Sequence, residues 1–182
     1  SAEAVGVARE CTEMAAEYAK ERIQFGRQIA MFQAVKHHCA NMAVASELTT
    51  SAVWDAARAA ATGGAQLSYA AAVAATLAGP AADLCANLNT QVHGGIAITW
   101  EHDAHLYLRR AYGISQFLGG HRPWLRRVAA LTRDGARRTL GVDLSSVEHL
   151  RAEIAAAVAA VAELPPERRQ PALAEAGLLA PH

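Results

Sequence analysis

At 182 residues the chain has the length of one ordinary domain, or of one domain with an appendage. Seventeen basic and seventeen acidic residues cancel, and without a basic stripe there is no electrostatic case for nucleic acid or an anionic membrane as a partner. Apolar residues make up 52% of the chain but aromatics only 5%, so much of the apolar content is alanine, which favours helix and close helix contact while burying little surface per residue.

The start, SAEAVGVARE, enters an amphipathic helix without a basic leader. Ala4, Ala8, Cys11, Ala15, Tyr18 and Arg22 fall at the three-and-four spacing of one helix face, and Phe25-Gly26 is the expected stop. A second helix carries Phe32, Val35, Cys39 and Met42 on one stripe and runs to about Ala61, where Thr62-Gly63-Gly64 breaks it. A third is expected from about Gln66 toward Thr90, kinked at Gly79-Pro80 because proline removes a backbone donor. No charged residue occurs between Ala59 and Ala82. Large apolar side chains are few there, so a buried bundle helix is expected rather than a membrane span.

Next comes Gln91 to Gly120, with paired glycines at both ends (Gly94-Gly95, Gly119-Gly120) and three histidines at His93, His102 and His105. Paired glycine weakens helix, and the usual compensation is a turn only glycine can make or a close approach of backbone to a ligand. EHDAH sets His102 and His105 about one turn apart but lacks the glutamate of a His-x-x-x-His frame, so no metal site is expected. A short helix around Asp103–Arg110 and a longer one over Gly120–Leu140 complete an all-α, up-down four-helix bundle. After the linker Leu140–Asp143, Ser145-x-x-Glu148 has the form of a capping box. It opens a helix striped by Leu150, Ile154, Val158 and Val161, and one more short helix precedes Gly177. These two extra helices bury too little to stand as a domain. The three cysteines, Cys11, Cys39 and Cys85, are far apart among apolar or small residues, which reads as reduced thiols and a cytoplasmic location.

The segment EYAKERIQFGRQIAMFQAVKHHCANMA resembles the Tyr-x-x-x-Arg-x-x-Phe-Gly and Phe-Gln signature of acyl-CoA dehydrogenases, and QVHGG resembles their Gln-x-x-Gly-Gly flavin motif. The resemblance covers Ser1 to about Ala130 and implies that residues 1–140 are the C-terminal helical bundle of that fold. The tail from about Ser145 resembles the opening of the family's N-terminal domain, so 141–182 would be a linker and the first helices of a following module. Fused two-module enzymes of this kind occur among actinobacterial enzymes acting on steroid side-chain CoA thioesters.

By resemblance the cofactor is FAD, and the activity is α,β-dehydrogenation of an acyl-CoA to the trans-2-enoyl-CoA, with electrons passed to an electron-transfer flavoprotein. Arg22 would reach the pyrophosphate of a FAD held by a second module or subunit, a task suited to a planar, permanently charged guanidinium. Gln24, Phe25 and Gln33 carry over as further flavin contacts, and Gln91, Val92, His93, Gly94 and Gly95 as the segment nearest the adenosine and pyrophosphate. Read without the family, Arg22 complements a helix C-terminus and the Gly-Gly step is a helix cap.

The departures from the family pattern matter as much. Counting from QVHGG, the catalytic glutamate of one class falls on Leu118, which accepts no proton, and the following glycine, beside the substrate, on Gly119. Gly120, His121 and Arg122 replace the residues expected next, and Arg110 stands where relatives place an aspartate after Arg109. Glu101 is close in sequence, and its plainer reading is a solvated residue starting a short helix. The alternative implied is a degenerate module that does no chemistry and supports an active partner.

Overall fold

The computed structural model describes residues 1–139 and 141–179, which form two compact units, Ser1–Thr139 and Leu140–His182. In the first, the long helices are α1 (Ala2–Glu21), α2 (Gln33–Ala59), α3 (Gly64–His93) and α4 (Ala104–Leu118), followed by α5 (Arg122–Arg133). Thr12 meets Cys85 and Tyr18 meets His93, so α1 and α3 run parallel. Gly79 lies against Ser115, and His93 against His102, which makes α4 antiparallel to α3. The up-down order expected from the sequence is therefore present. The upper half of α3 packs among α1, α2 and α4, while α5 covers Tyr69 and Ala72 near its start.

The composition explains the packing. On α1 the buried positions are Ala4, Val7, Ala8, Cys11, Ala15 and Ala19, and on α3 they include Ala78, Ala82, Cys85, Ala86 and Val92. Small side chains bury little area each, but they let helix backbones approach closely and multiply dispersion contacts. Met42 is the largest fully buried side chain and fills the space between α1, α2 and α3. Cys11, Cys39 and Cys85 are free thiols; Cys39 is only partly buried, and burial pushes Cys11 up to about 12. At the other end of the unit, the Arg138 guanidinium donates to both carboxylate oxygens of Asp55 at 3.0 Å and to Gln66 at 2.8 Å, tying the end of the chain segment to α2 and α3.

Several boundaries differ from the sequence expectation. The first helix stops at Glu21, not Phe25-Gly26, because Ile23–Gln24 and Arg27–Gln28 pair as a two-residue antiparallel hairpin, β1 and β2. That is strand where only helix was expected. The third helix remains helical through Gly79-Pro80, and its neighbours cover it well enough to outweigh one missing backbone donor. More than half of its most apolar window is buried inside the protein, as suits a core helix of membrane-span length. The helix expected over Asp103–Arg110 continues to Leu118, and the one expected over Gly120–Leu140 is only Arg122–Arg133.

In the second unit a 3-10 segment, Ser145–Leu150, leads into α6 (Arg151–Ala162) and then α7 (Pro166–Glu175). The capping box does not form: the Ser145 N–H donates to the Asp143 carboxylate at 2.9 Å, and Glu148 binds Arg151 instead. Leu150, Ile154 and Val158 keep an exposed apolar stripe within this unit.

At Gly79 the backbone of α3 lies directly against Ser115 and Leu118 of α4. A Cβ placed there would lie 3.4 Å from Ser115 Oγ and 3.8 Å from Leu118 Cδ1, ordinary contact for one methyl group and no room for more. Gly79→Ala should leave urea-denaturation stability equal or slightly raised, because alanine is the better helix former. Gly79→Leu should lower it by about 1–3 kcal/mol through overpacking.

Candidate functional site

The upper end of the bundle gathers the residues singled out in the sequence. Tyr18, in the last turn of α1, stacks on His93, the last residue of α3, with ring centroids 4.2 Å apart and planes 25° from parallel. His93 in turn meets His102 at 4.3 Å. This column holds the end of α1 beside the turn that follows α3. The Arg22 N–H donates to Tyr18 O at 2.9 Å and closes the helix, so the Arg22 side chain leaves from the same end as Gly94-Gly95. Arg22 is exposed, and among the described residues no carboxylate pairs with it.

Beyond Arg22 the hairpin register pairs Ile23 with Gln28 and Gln24 with Arg27, leaving Phe25 and Gly26 as the turn. Phe25 has φ +55°, the one non-glycine residue among those described with positive φ, and its side chain is 91% exposed. A bulky residue in the left-handed region with its ring in water is strained and unburied at once, a combination that collects at functional sites. Phe25 meets Phe32 edge to face at 6.1 Å, and Arg27 lies over the Phe32 ring at 4.4 Å. Gln24 spends its amide on Ile23 O, while Gln33 opens α2 with its side chain exposed.

In the Gln91–Gly95 segment, Gln91, Gly94 and Gly95 face solvent, whereas Val92 and His93 turn inward. Gly94, with φ +66° and ψ −140°, occupies backbone space that only glycine enters readily, and it caps α3. Gly95 has no such demand, and a Cβ there would meet nothing within 4 Å. The fold itself does not require glycine at 95. The His93 Nδ1–H donates to Asn89 O at 2.9 Å. Burial, and then nearby His102, lower its pKa from the ordinary 6.5, so the ring is neutral at pH 7.

Sequence reasoning did not single out Trp100, which is 80% exposed next to this segment with Arg109 over its face at 5.3 Å and His105 against it edge-on at 4.7 Å. A single tryptophan five residues after a Gly-Gly step carries no periodic signal that would have found it. The histidines join this aromatic cluster, and among the described residues no three His, Cys, Asp or Glu side chains converge as metal ligands.

Leu118 and Gly119 lie elsewhere, at the lower end of α4. Leu118 is turned into the bundle toward Gly79, its carbonyl accepts the Trp124 indole N–H at 2.8 Å, and Gly119 is the left-handed cap at φ +71°. Between the start of α1 and this face of α4 lies a cavity of about 340 Å³ lined by Ser1 and Glu3 on one side and by Arg110, Gly113, Ile114, Phe117 and Leu118 on the other. Glu3 accepts a hydrogen bond from Arg110 Nε, which holds its carboxyl below the usual range. Glu101 is exposed in the turn before α4 and does not line this cavity.

Residues 1–132 match the family description "Acyl-CoA dehydrogenase, C-terminal domain", and the chain belongs to that family. It is 62% identical over its whole length to acyl-CoA dehydrogenase FadE34 of Mycobacterium tuberculosis, covering 26% of that protein. To acyl-CoA dehydrogenase IpdE2 of the same organism it is 44% identical over 128 residues, 70% of this chain and 38% of the relative. The chain therefore spans only about a quarter to two fifths of the length of these relatives. Among solved structures it is similar to the Tcur3481-Tcur3483 steroid ACAD G363A variant, at 34% identity and a TM-score of 0.69 over 73% of this chain and 37% of that one. It is also similar to the ChsE4-ChsE5 complex from Mycobacterium tuberculosis, at 30% identity and a TM-score of 0.68, covering 72% and 35%.

The lowered pKa of His93 has a consequence for stability. The unfolded chain takes up this proton below about pH 6.5, while the folded protein resists it. The contribution is therefore complete above 6.5 and lost as pH falls toward the lower folded value. His93→Phe keeps an aromatic ring against Tyr18 but does not titrate. Denaturation across pH 7 to 5 should show a smaller acid-side loss in the variant than in the parent; parallel curves would contradict the assignment.

Proposed function

We propose that this chain supplies the helical domain of an FAD-dependent acyl-CoA dehydrogenase and that the upper end of its bundle holds the flavin cofactor. The observation that carries the reading is the Tyr18–His93 stack, which brings Arg22 and the Gly94-Gly95 turn to one end of one unit. The residues present fit a dinucleotide. An exposed guanidinium without a carboxylate partner suits a pyrophosphate. Bare backbone at Gly95 permits approach closer than any side chain would allow. Phe25, displayed by a strained turn, offers an apolar face beside it. Gln24, Gln33 and Gln91 are amide donors and acceptors along the same end, and Val92 and His93 serve from within, anchoring the turn rather than touching the ligand.

When bound, FAD would supply the acceptor for the β-hydride of an acyl-CoA thioester, while a carboxylate takes the α-proton. Leu118 cannot be that carboxylate, and Gly119 continues as a helix cap beside it. This favours a second reading within the first, in which the domain holds flavin and oligomer contacts for a second acyl-CoA dehydrogenase module or subunit that does the chemistry. The likeness to a two-component ChsE4-ChsE5 complex supports such an arrangement. Acyl-CoA substrate and an electron-transfer flavoprotein complete the proposed set of partners. The cavity beside Leu118 is the site proposed for the acyl group.

In the protein at its natural length, Arg22→Ala should weaken FAD binding by about 10- to 100-fold, the worth of a charge-assisted hydrogen bond at 1.5–3 kcal/mol. Gly95→Leu should do the same by occupying the space of the approaching ligand. Flavin content by absorbance after gel filtration checks both. Full FAD retention in both variants would contradict the reading.

A further inference from the structure

The cavity beside Leu118 is apolar along one wall and charged at one end. Ile114, Phe117 and Leu118 make the wall, and Arg110 with Glu3 closes the far end. Arg110 and Leu118 are eight residues apart on α4, roughly 12 Å at helical rise, about the reach of an extended ten-carbon chain. Gly113 stands between them. Glycine inside a helix is destabilising by roughly 0.5–1 kcal/mol against alanine, yet a Cβ at Gly113 would meet nothing within 4 Å. Its negative φ makes no conformational demand either. Packing within the described residues gives no reason for glycine there, and its bare backbone widens the open space along this wall. Phe117, 91% exposed on the same wall, is an apolar surface without a partner in this unit.

The charged end has its own meaning. Among the described residues Glu3 is the one hydrogen-bond partner of Arg110, and it engages only Nε. The two Nη groups keep their donors, and a guanidinium has no acceptor to offer. Both partners are more than half exposed, so the pair contributes little to stability and its value lies in orienting the fork. A purely hydrocarbon acyl chain reaching this end would desolvate these donors and return nothing, a loss that apolar contact does not offset.

We propose that Arg110, oriented by Glu3, selects acyl thioesters that carry an acceptor oxygen near the distal end of the acyl group, about ten carbons from the thioester at the Leu118 end. This rests on the cavity beside Leu118 being the acyl site. An oxo group or a carboxylate satisfies the same donors.

Isothermal calorimetry on the natural-length, FAD-loaded protein tests this with decanoyl-CoA, 9-oxodecanoyl-CoA and the mono-CoA thioester of decanedioic acid. The parent should bind at least one oxygenated thioester about tenfold more tightly than decanoyl-CoA, the worth of one hydrogen bond to a charged group. Which of the two gains more identifies the oxygen. Arg110→Met should abolish that preference by tightening decanoyl-CoA and weakening the oxygenated thioesters, and should leave FAD content unchanged, since Arg110 is exposed and remote from the flavin end. Gly113→Val should weaken all three thioesters by filling the open space. No preference in the parent, or the same preference in Arg110→Met, would overturn the proposal while leaving the acyl site standing. Undiminished binding of all three by Gly113→Val, or no thioester binding by the parent, would overturn the acyl site itself. Loss of FAD in Arg22→Ala tests the flavin end independently of either result.

Discussion

The close contact between α1 and α3 sets everything else in this unit. The two helices run parallel and meet through Ala4, Ala8, Cys11, Ala15 and Ala19 on one side and Ala78, Ala82, Cys85 and Ala86 on the other, with no buried side chain on that face of α1 larger than valine or cysteine. Interiors packed this tightly have few alternative registers, because side chains fitted to one set of neighbours do not fit another. The register that results puts Tyr18 onto His93. From that single stack follow the adjacency of Arg22 to the Gly94-Gly95 turn and the placing of the hairpin above it.

The glycines separate the two jobs of the fold. Gly79 lies under α4 with room for one methyl group and no more, and Gly94 is required by its backbone angles. Gly95 and Gly113 are required by neither packing nor backbone angles. At both positions the bare backbone permits a closer approach than any side chain would allow. One such place lies at the proposed flavin end and the other in the cavity beside Leu118. The two sit at opposite ends of α4, in keeping with a domain that serves a cofactor at one end and an acyl group at the other.

The periodic part of the fold was legible in the sequence. The stripe Ala4, Ala8, Cys11, Ala15 is buried as read, and Met42 ends its own stripe fully buried, because 3.6-residue spacing translates directly into one helix face. What failed was decided by contacts that spacing does not carry. The stop at Glu21 depends on hairpin pairing between Gln24 and Arg27, and two-residue strands have no alternation to detect. Leu118 stays helical because Gly79 receives it, and the Ser145 capping box loses to Asp143 and Arg151. The exposed residues Arg22, Phe25 and Gly95 were singled out by resemblance of motifs, which periodicity alone would not have marked. Glu3 was invisible beside Arg110 because 107 residues separate them, and Trp100 because one aromatic in a loop has no pattern.

The central claim is that the end of the bundle carrying Arg22 and Gly95 faces a dinucleotide. A structure of the natural-length protein with FAD bound tests it most directly. The account predicts the Arg22 guanidinium within hydrogen-bond distance of the pyrophosphate and the backbone of Gly95 packed against the ADP half of the cofactor. A well-ordered FAD with Arg22 and Gly95 both left in solvent would contradict it.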